Sequence, residues 1–183
     1  MPAAGMKGVF VEFEFRRNKG LASRLIGWRD YWSHVDCVYP TGLLGARSDD
    51  VGGGRGVQLR PFDYEVPLES VRMRLPCSLD QRVQWLKFLS DQLGRPYDWM
   101  AIFAFAVSRD WRDEGAWFCS ELAARSLEVA CILPMLCLTP NKIDPGAFAL
   151  ALSAVGAEVR KPAGKVPAPP PPAASLPKRP RKG

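Results

Sequence analysis

Tyr31-Trp32-Ser33-His34-Val35-Asp36-Cys37-Val38-Tyr39 is rich in aromatic and β-branched residues and reads as a buried strand, turned by Pro40-Thr41-Gly42. It holds the only histidine of the chain. A protein with one imidazole can host at most one histidine-based proton-transfer site, so such a site is built on His34 or does not exist. Well downstream, Trp117-Phe118-Cys119-Ser120-Glu121-Leu122-Ala123-Ala124 opens a helical pattern that runs from Cys119 to Val129. A cysteine at a helix start and a histidine on a strand are the two halves of a thiol nucleophile and its base. A helix N-terminus offers unpaired N–H groups and the positive end of the dipole, which favour a thiolate. The backbone N–H of Cys119 can also help bind an oxyanion. Either residue taken alone would read as a core side chain. Their combination argues for chemistry.

Outward from these two stretches the pattern predicts strands over residues 8–15, 33–39, 43–46 and 56–61, and another within 64–75. Residues 8–15 start apolar and then alternate, as in a strand with one wet face, and 16–20 reads as a polar turn. Helices are expected over 78–93, capped by Ser78, and over 119–129 and 145–155. A short helical spacing covers 21–28, and the apolar run from Tyr97 to Val107 reads as a buried helix. The glycines at 52–54 lack the strand-to-helix setting of a phosphate loop and read as a flexible loop. Strands come first and the Cys119 helix comes late, which predicts an α+β fold rather than a doubly wound sheet.

The formal net charge of +6 suggests a nucleic-acid partner until it is located. Residues 160–183 carry Arg160, Lys161, Lys165, Lys178, Arg179, Arg181 and Lys182 and no acid, which leaves 18 basic residues against the 19 acidic ones elsewhere. The basicity belongs to the C-terminal stretch, so no specific nucleic-acid surface is expected. That stretch is also proline-rich and reads as a disordered tail. The expected organisation is one domain over 1–159 and this Pro-rich basic tail over 160–183. Five cysteines without a CxxC, beside one histidine, argue against a metal site, and no cofactor is expected. Cys37, Cys77, Cys131 and Cys137 read as core residues. The N-terminus lacks a signal-peptide pattern, which predicts synthesis in the cytoplasm. The longest apolar run, 99–107, is too short to span a bilayer, so no transmembrane segment is expected.

Gly94-Arg95-Pro96-Tyr97-Asp98-Trp99, followed by Trp117-Phe118-Cys119-Ser120-Glu121-Leu122, resembles the NlpC-type cell-wall peptidases of the papain-like superfamily. Those enzymes carry a Gly-x-Pro-Tyr segment upstream of a catalytic Cys-Ser at a helix N-terminus. In the usual order the histidine follows the cysteine, whereas here Ser33-His34-Val35 precedes it. The chain therefore resembles the circularly permuted branch, which includes lecithin–retinol acyltransferase-like proteins and bacterial and phage amidases. The resemblance covers residues 8–155. It implies a permuted papain-like fold, with an antiparallel sheet packed against helices and a Cys119–His34 pair. It also implies a thiol hydrolase (an amidase or endopeptidase) that cleaves a peptidoglycan stem-peptide amide through a Cys119 acyl-enzyme, with His34 as base. A virion-associated or lysis-released protein would meet such a substrate. Tyr97 takes the family position whose hydroxyl supports the oxyanion. The family places a polar orienter of the histidine on the following strand, and Leu43-Leu44-Gly45-Ala46 offers none. Asp36, on the same side of the strand as His34, or a main-chain carbonyl could orient the ring, with Asp49 and Asp50 more remote. Two rivals stand beside this reading: a lipid acyltransferase or thiol lipase of the same fold, and a non-catalytic binding or virion structural module.

Overall fold

A computed structural model describes residues 8–18, 31–98, 116–134 and 143–161. Six strands form one sheet: β1 (Phe10–Arg17), β2 (His34–Tyr39), β3 (Gly42–Arg47), β4 (Gly56–Arg60), β5 (Glu69–Pro76) and β6 (Glu158–Arg160). Their order is β4-β3-β2-β1-β5-β6, and every neighbouring pair is antiparallel. Three helices accompany them among the described residues: α1 (Leu79–Asp91), α2 (Cys119–Val129) and α3 (Pro145–Ala154). The fold is α+β, with an antiparallel sheet and helices packed on it.

The core forms on one face of the sheet. Phe13 and Phe15 of β1 pair in register with Cys37 and Val35 of β2, so their side chains share that face. Phe13 meets Trp85 of α1 and Phe148 of α3 edge to face, with ring centroids 5.8 and 5.2 Å apart. α1 begins as the sequence suggests. Ser78 accepts from the Gln81 N–H, and the Gln81 side chain accepts in return from the Ser78 N–H. Trp85 Nε1–H donates to Ser126 Oγ at 2.8 Å, which ties α1 to α2. Ser120 Oγ–H donates to the Ile143 carbonyl and ties α2 to the approach to α3.

Several expectations need correction. Arg16 and Arg17 continue β1 instead of turning away. The supposed wet face of that strand is buried, with Glu14 and Arg16 almost fully enclosed. β5 starts only at Glu69, and residues 61–68 form a loop that folds over this second face. Tyr97 is not helical but bridges to Trp117 in a short parallel contact. β6 reaches Arg160, which the sequence assigned to the tail. Cys131 is exposed, and it has φ 51° in the tight turn after α2, so it is no core residue. Cys77 is only half-buried, and Cys37 is buried. The helical readings over 21–28 and 99–107, Cys137 and nearly all of the basic tail lie outside the described residues.

Because Phe13 fills the joint between sheet, α1 and α3, Phe13→Ala is expected to cost about 3–5 kcal/mol. Urea unfolding should show it as a lower midpoint at unchanged slope.

Candidate functional site

β2 opens with His34, and Asp36 follows on the same pleat, opposite Val35 and Cys37. His34 Nε2–H donates to Asp36 Oδ1 at 2.8 Å. The second carboxylate oxygen, Oδ2, accepts from the Tyr64 hydroxyl at 2.8 Å and has Arg16 Nε at 3.9 Å. Asp36 is 0% exposed. A buried carboxylate costs several kcal/mol unless its lone pairs and charge are met, and this one is met from three sides.

Those partners are themselves held. Arg16 lies opposite His34 in the β1–β2 register, donates Nε–H to Glu14 Oε1 at 2.8 Å, and reaches the Phe62 and Glu65 carbonyls of the covering loop. Arg72 of β5 donates to the other oxygen of Glu14, also at 2.8 Å. Arg47 of β3 donates to the Tyr64 hydroxyl at 2.9 Å and to Glu65 at 2.6 Å. It also forks onto both oxygens of Asp49, at 2.7 and 2.8 Å. The Tyr64 ring lies beneath the guanidinium of Arg16, 4.5 Å from its centroid. A directional chain results. Arg47 donates to Tyr64, Tyr64 donates to Asp36, and Asp36 holds His34.

The space for this carboxylate comes from β3. A Cβ on Gly45 would sit 2.0 Å from Asp36 Oδ1. The absence of a side chain at Gly45 on β3 admits the Asp36 carboxylate from β2. Asp49 and Asp50 are not at His34 Nε2. Asp49 is committed to Arg47, and the Asp50 carbonyl accepts from the Gly53 and Gly54 N–H groups.

Cys119 arrives from the helix layer. It is the first residue of α2 and is buried, and its N-cap is Phe118, whose side chain makes no capping hydrogen bond. The approach is pinned to the edge of the sheet. Trp117 and Asp98 exchange main-chain bonds with the 96–117 pairing, through Trp117 N–H to Pro96 O at 3.0 Å and Asp98 N–H to Trp117 O at 3.1 Å. The same segment is bonded to β4, through Val57 N–H to Arg95 O and Gly94 N–H to Val57 O, both at 2.9 Å. Gly56 makes this approach possible, because a Cβ there would meet the Arg95 carbonyl at 2.3 Å. The loop at 51–56 is ordered by Arg60, whose buried guanidinium donates to the carbonyls of Val51, Gly54 and Gly56. The loop that carries the glycine run is thus held to Arg60 at Val51, Gly54 and Gly56.

Cys119 and His34 meet at this end of β2. Burial pulls the imidazole pKa down. The charge and hydrogen bond of Asp36, followed by the hydrogen bond and charge of Cys119, raise it from an ordinary 6.5 to about 9. With Nε2 engaged by Asp36, Nδ1 is the nitrogen left for the thiol. Burial opposes the charge of Asp36 also, but His34, Arg16 and Tyr64 together hold its pKa well below the usual carboxylate range. Tyr97 packs against Phe118 with ring centroids 5.9 Å apart. Burial, and after it the charge of Cys119, push its hydroxyl well above its ordinary pKa, so it stays neutral.

The structure therefore brings together His34, Asp36, Cys119 and Tyr97. Sequence reasoning missed Glu14, Arg16, Tyr64, Arg47 and Gly45. Among the described residues no cluster of three or more His, Cys, Asp or Glu is placed to hold a metal ion. No described helix is long and apolar enough to cross a membrane. No protein-family model and no curated protein matches this sequence.

Gly45→Ala should displace the Asp36 carboxylate. It is expected to cost about 1–3 kcal/mol by overpacking and to loosen the His34 ring. Thermal melts and the ring-proton shifts of His34 check both. The pH dependence of stability follows from the same pair. The His34 pKa is raised on folding, so its contribution is full below 6.5 and is lost as pH climbs through about 9. Asp36 is depressed, so its contribution is full above its ordinary 3.8 and is lost as the medium becomes more acidic. A stability plateau between these two ordinary values, with decline on either side, is expected in pH-resolved urea unfolding. His34→Gln should remove the alkaline decline.

Proposed function

We propose that this protein is a thiol hydrolase of the permuted papain-like type, with Cys119 as nucleophile, His34 as base and Asp36 as the group that orients His34. The observation that carries the reading is the buried Asp36 carboxylate on His34 Nε2, which leaves the other ring nitrogen to Cys119. An imidazolium held this way keeps a thiolate beside it ready to attack. The antiparallel sheet, the cysteine at the first turn of a helix and the histidine ahead of it in the chain support the family reading.

In the proposed reaction Cys119 Sγ attacks an acyl carbonyl, and the developing oxyanion is met by the Cys119 backbone N–H, with Tyr97 as a further neutral donor. His34 passes the Nδ1 proton to the departing amine, the C–N bond breaks, and a thioester remains on Cys119. His34 then takes a proton from water, the hydroxide adds to the thioester, and the C–S bond breaks to release the acid and restore the thiolate–imidazolium pair. Asp36 holds the imidazole in the correct tautomer throughout. The proposed substrate is a stem-peptide amide of peptidoglycan, taken from the resemblance.

A lipid acyl substrate is the second reading, because the loop that covers the Asp36 network exposes Phe62, Val66 and Leu68, with Val66 83% exposed. The deciding assay sets peptidoglycan fragments against short- and long-chain acyl esters, with mass spectrometry of the Cys119 adduct. Wild-type protein should turn over the amide panel. Cys119→Ala should abolish turnover, and Asp36→Asn, which preserves volume, should lower it at least about tenfold, or ~1.4 kcal/mol. The rate should fall on an alkaline limb near pH 9, where His34 loses its proton. Turnover of long-chain esters alone would move the assignment to lipid acyl transfer. No turnover and no adduct would leave a binding module.

A further inference from the structure

Among the described residues, Asn18 is the one whose buried side-chain polar atoms lack a hydrogen-bond partner, and it lacks one at both Nδ2 and Oδ1. It is 7% exposed. Folded proteins rarely leave a donor and an acceptor buried and unpaired, because both lose their hydration for nothing in return. Its position is specific. Asn18 follows β1, and continuing the strand alternation beyond Arg17 puts it on the face of Arg16, the register partner of His34. Its backbone N–H donates to Ser33 Oγ at 3.0 Å, and Ser33 Oγ–H donates to the Arg16 carbonyl at 3.3 Å. Ser33 immediately precedes His34. The Asn18 main chain is thereby fixed beside Ser33, one residue before His34 at the start of β2.

We propose that Asn18 is a substrate-binding residue that pairs with a main-chain amide of the acyl substrate, next to the bond attacked by Cys119. The proposal rests on the thiol-hydrolase reading and deepens it. A primary carboxamide presents N–H and C=O side by side. That pattern complements a secondary amide, whose carbonyl accepts from Nδ2–H while its N–H donates to Oδ1. An acyl chain offers neither group and would leave both atoms of Asn18 unmet. The chemistry selects a peptidyl substrate over a lipid one.

The test compares p-nitrophenyl acetate, which has no peptide group, with an acetyl-dipeptide p-nitrophenyl ester, which has two. Both share the same leaving group and the same attack by Cys119, so the ratio of their kcat/KM values isolates amide recognition. Asn18→Leu, close in volume, is expected to lower kcat/KM on the dipeptide ester by about tenfold or more, since a site built to hydrogen-bond its substrate loses that discrimination with the group. The acetate should stay within about twofold, because it engages no amide partner. The melting temperature should hold or rise, since an unmet polar group has been removed. An unchanged ratio would overturn the proposal. So would a lower melting temperature with both esters affected alike, which would show an amide satisfied by structural water. Wild-type protein inert to both esters and forming no Cys119 adduct would sink the hydrolase reading separately. In that event, acetyl-dipeptide amide titrated against wild type and Asn18→Leu, followed by tryptophan fluorescence, decides for Asn18. Equal affinity, or no binding by either protein, would overturn its role.

Discussion

Everything around the site depends on the burial of one charge, the carboxylate of Asp36. Removing a carboxylate from water is tolerable only when its oxygens are bonded and its charge is balanced. His34, Tyr64 and Arg16 do this, and each in turn requires a partner of its own. Glu14 balances Arg16, Arg72 balances Glu14, and Arg47 holds Tyr64. The sheet consequently has two interiors. One face is apolar and carries the helices. The other is ionic and is closed by the loop over residues 61–68.

The two interiors have different tasks. Phe13, Phe15, Trp85 and Phe148 supply the apolar burial that holds the sheet to α1 and α3. The ionic face contributes little net stability for its size, since the desolvation of each charge offsets much of the attraction. What it supplies is definition. Each oxygen of Asp36 has a designated donor, so the His34 ring has one orientation. A rigid imidazole next to a cysteine at a helix start is the arrangement that thiol chemistry requires.

A second constraint sets the other half of the site. Cys119 stands where it does because the segment ahead of α2 is bonded, through 94–98, to the free side of β4. That junction tolerates no side chain at Gly56, and Arg60 gathers the neighbouring glycine carbonyls around itself. The two halves of the site therefore arrive from different layers, one through a carboxylate packed on Gly45 and the other through a close main-chain approach at Gly56.

The sequence by itself determined most of the elements, though not β6 or the start of β5, and it singled out His34 and Cys119 as a candidate pair. The single histidine on an apolar strand and the cysteine at a helix start were legible because they depend on local pattern, as did the Ser78 cap and the bounds of α2. Asp36 was legible as one of several candidate partners of His34, because period-two alternation put it on the His34 side. The choice among them was not, since it turned on empty space beside Gly45 on another strand. Glu14 read as solvated because charged residues alternating with phenylalanine mark a wet face, Arg16 read as the start of a polar turn, and only a loop distant in the chain covers them. Tyr64 looked like part of a strand stretch because Val71, Met73 and Leu75 alternate with Arg72 and Arg74 just beyond it. Alternation and capping act between near neighbours and are written in the chain. Burial of charge is decided by which distant segments meet, and only the tertiary structure supplies that.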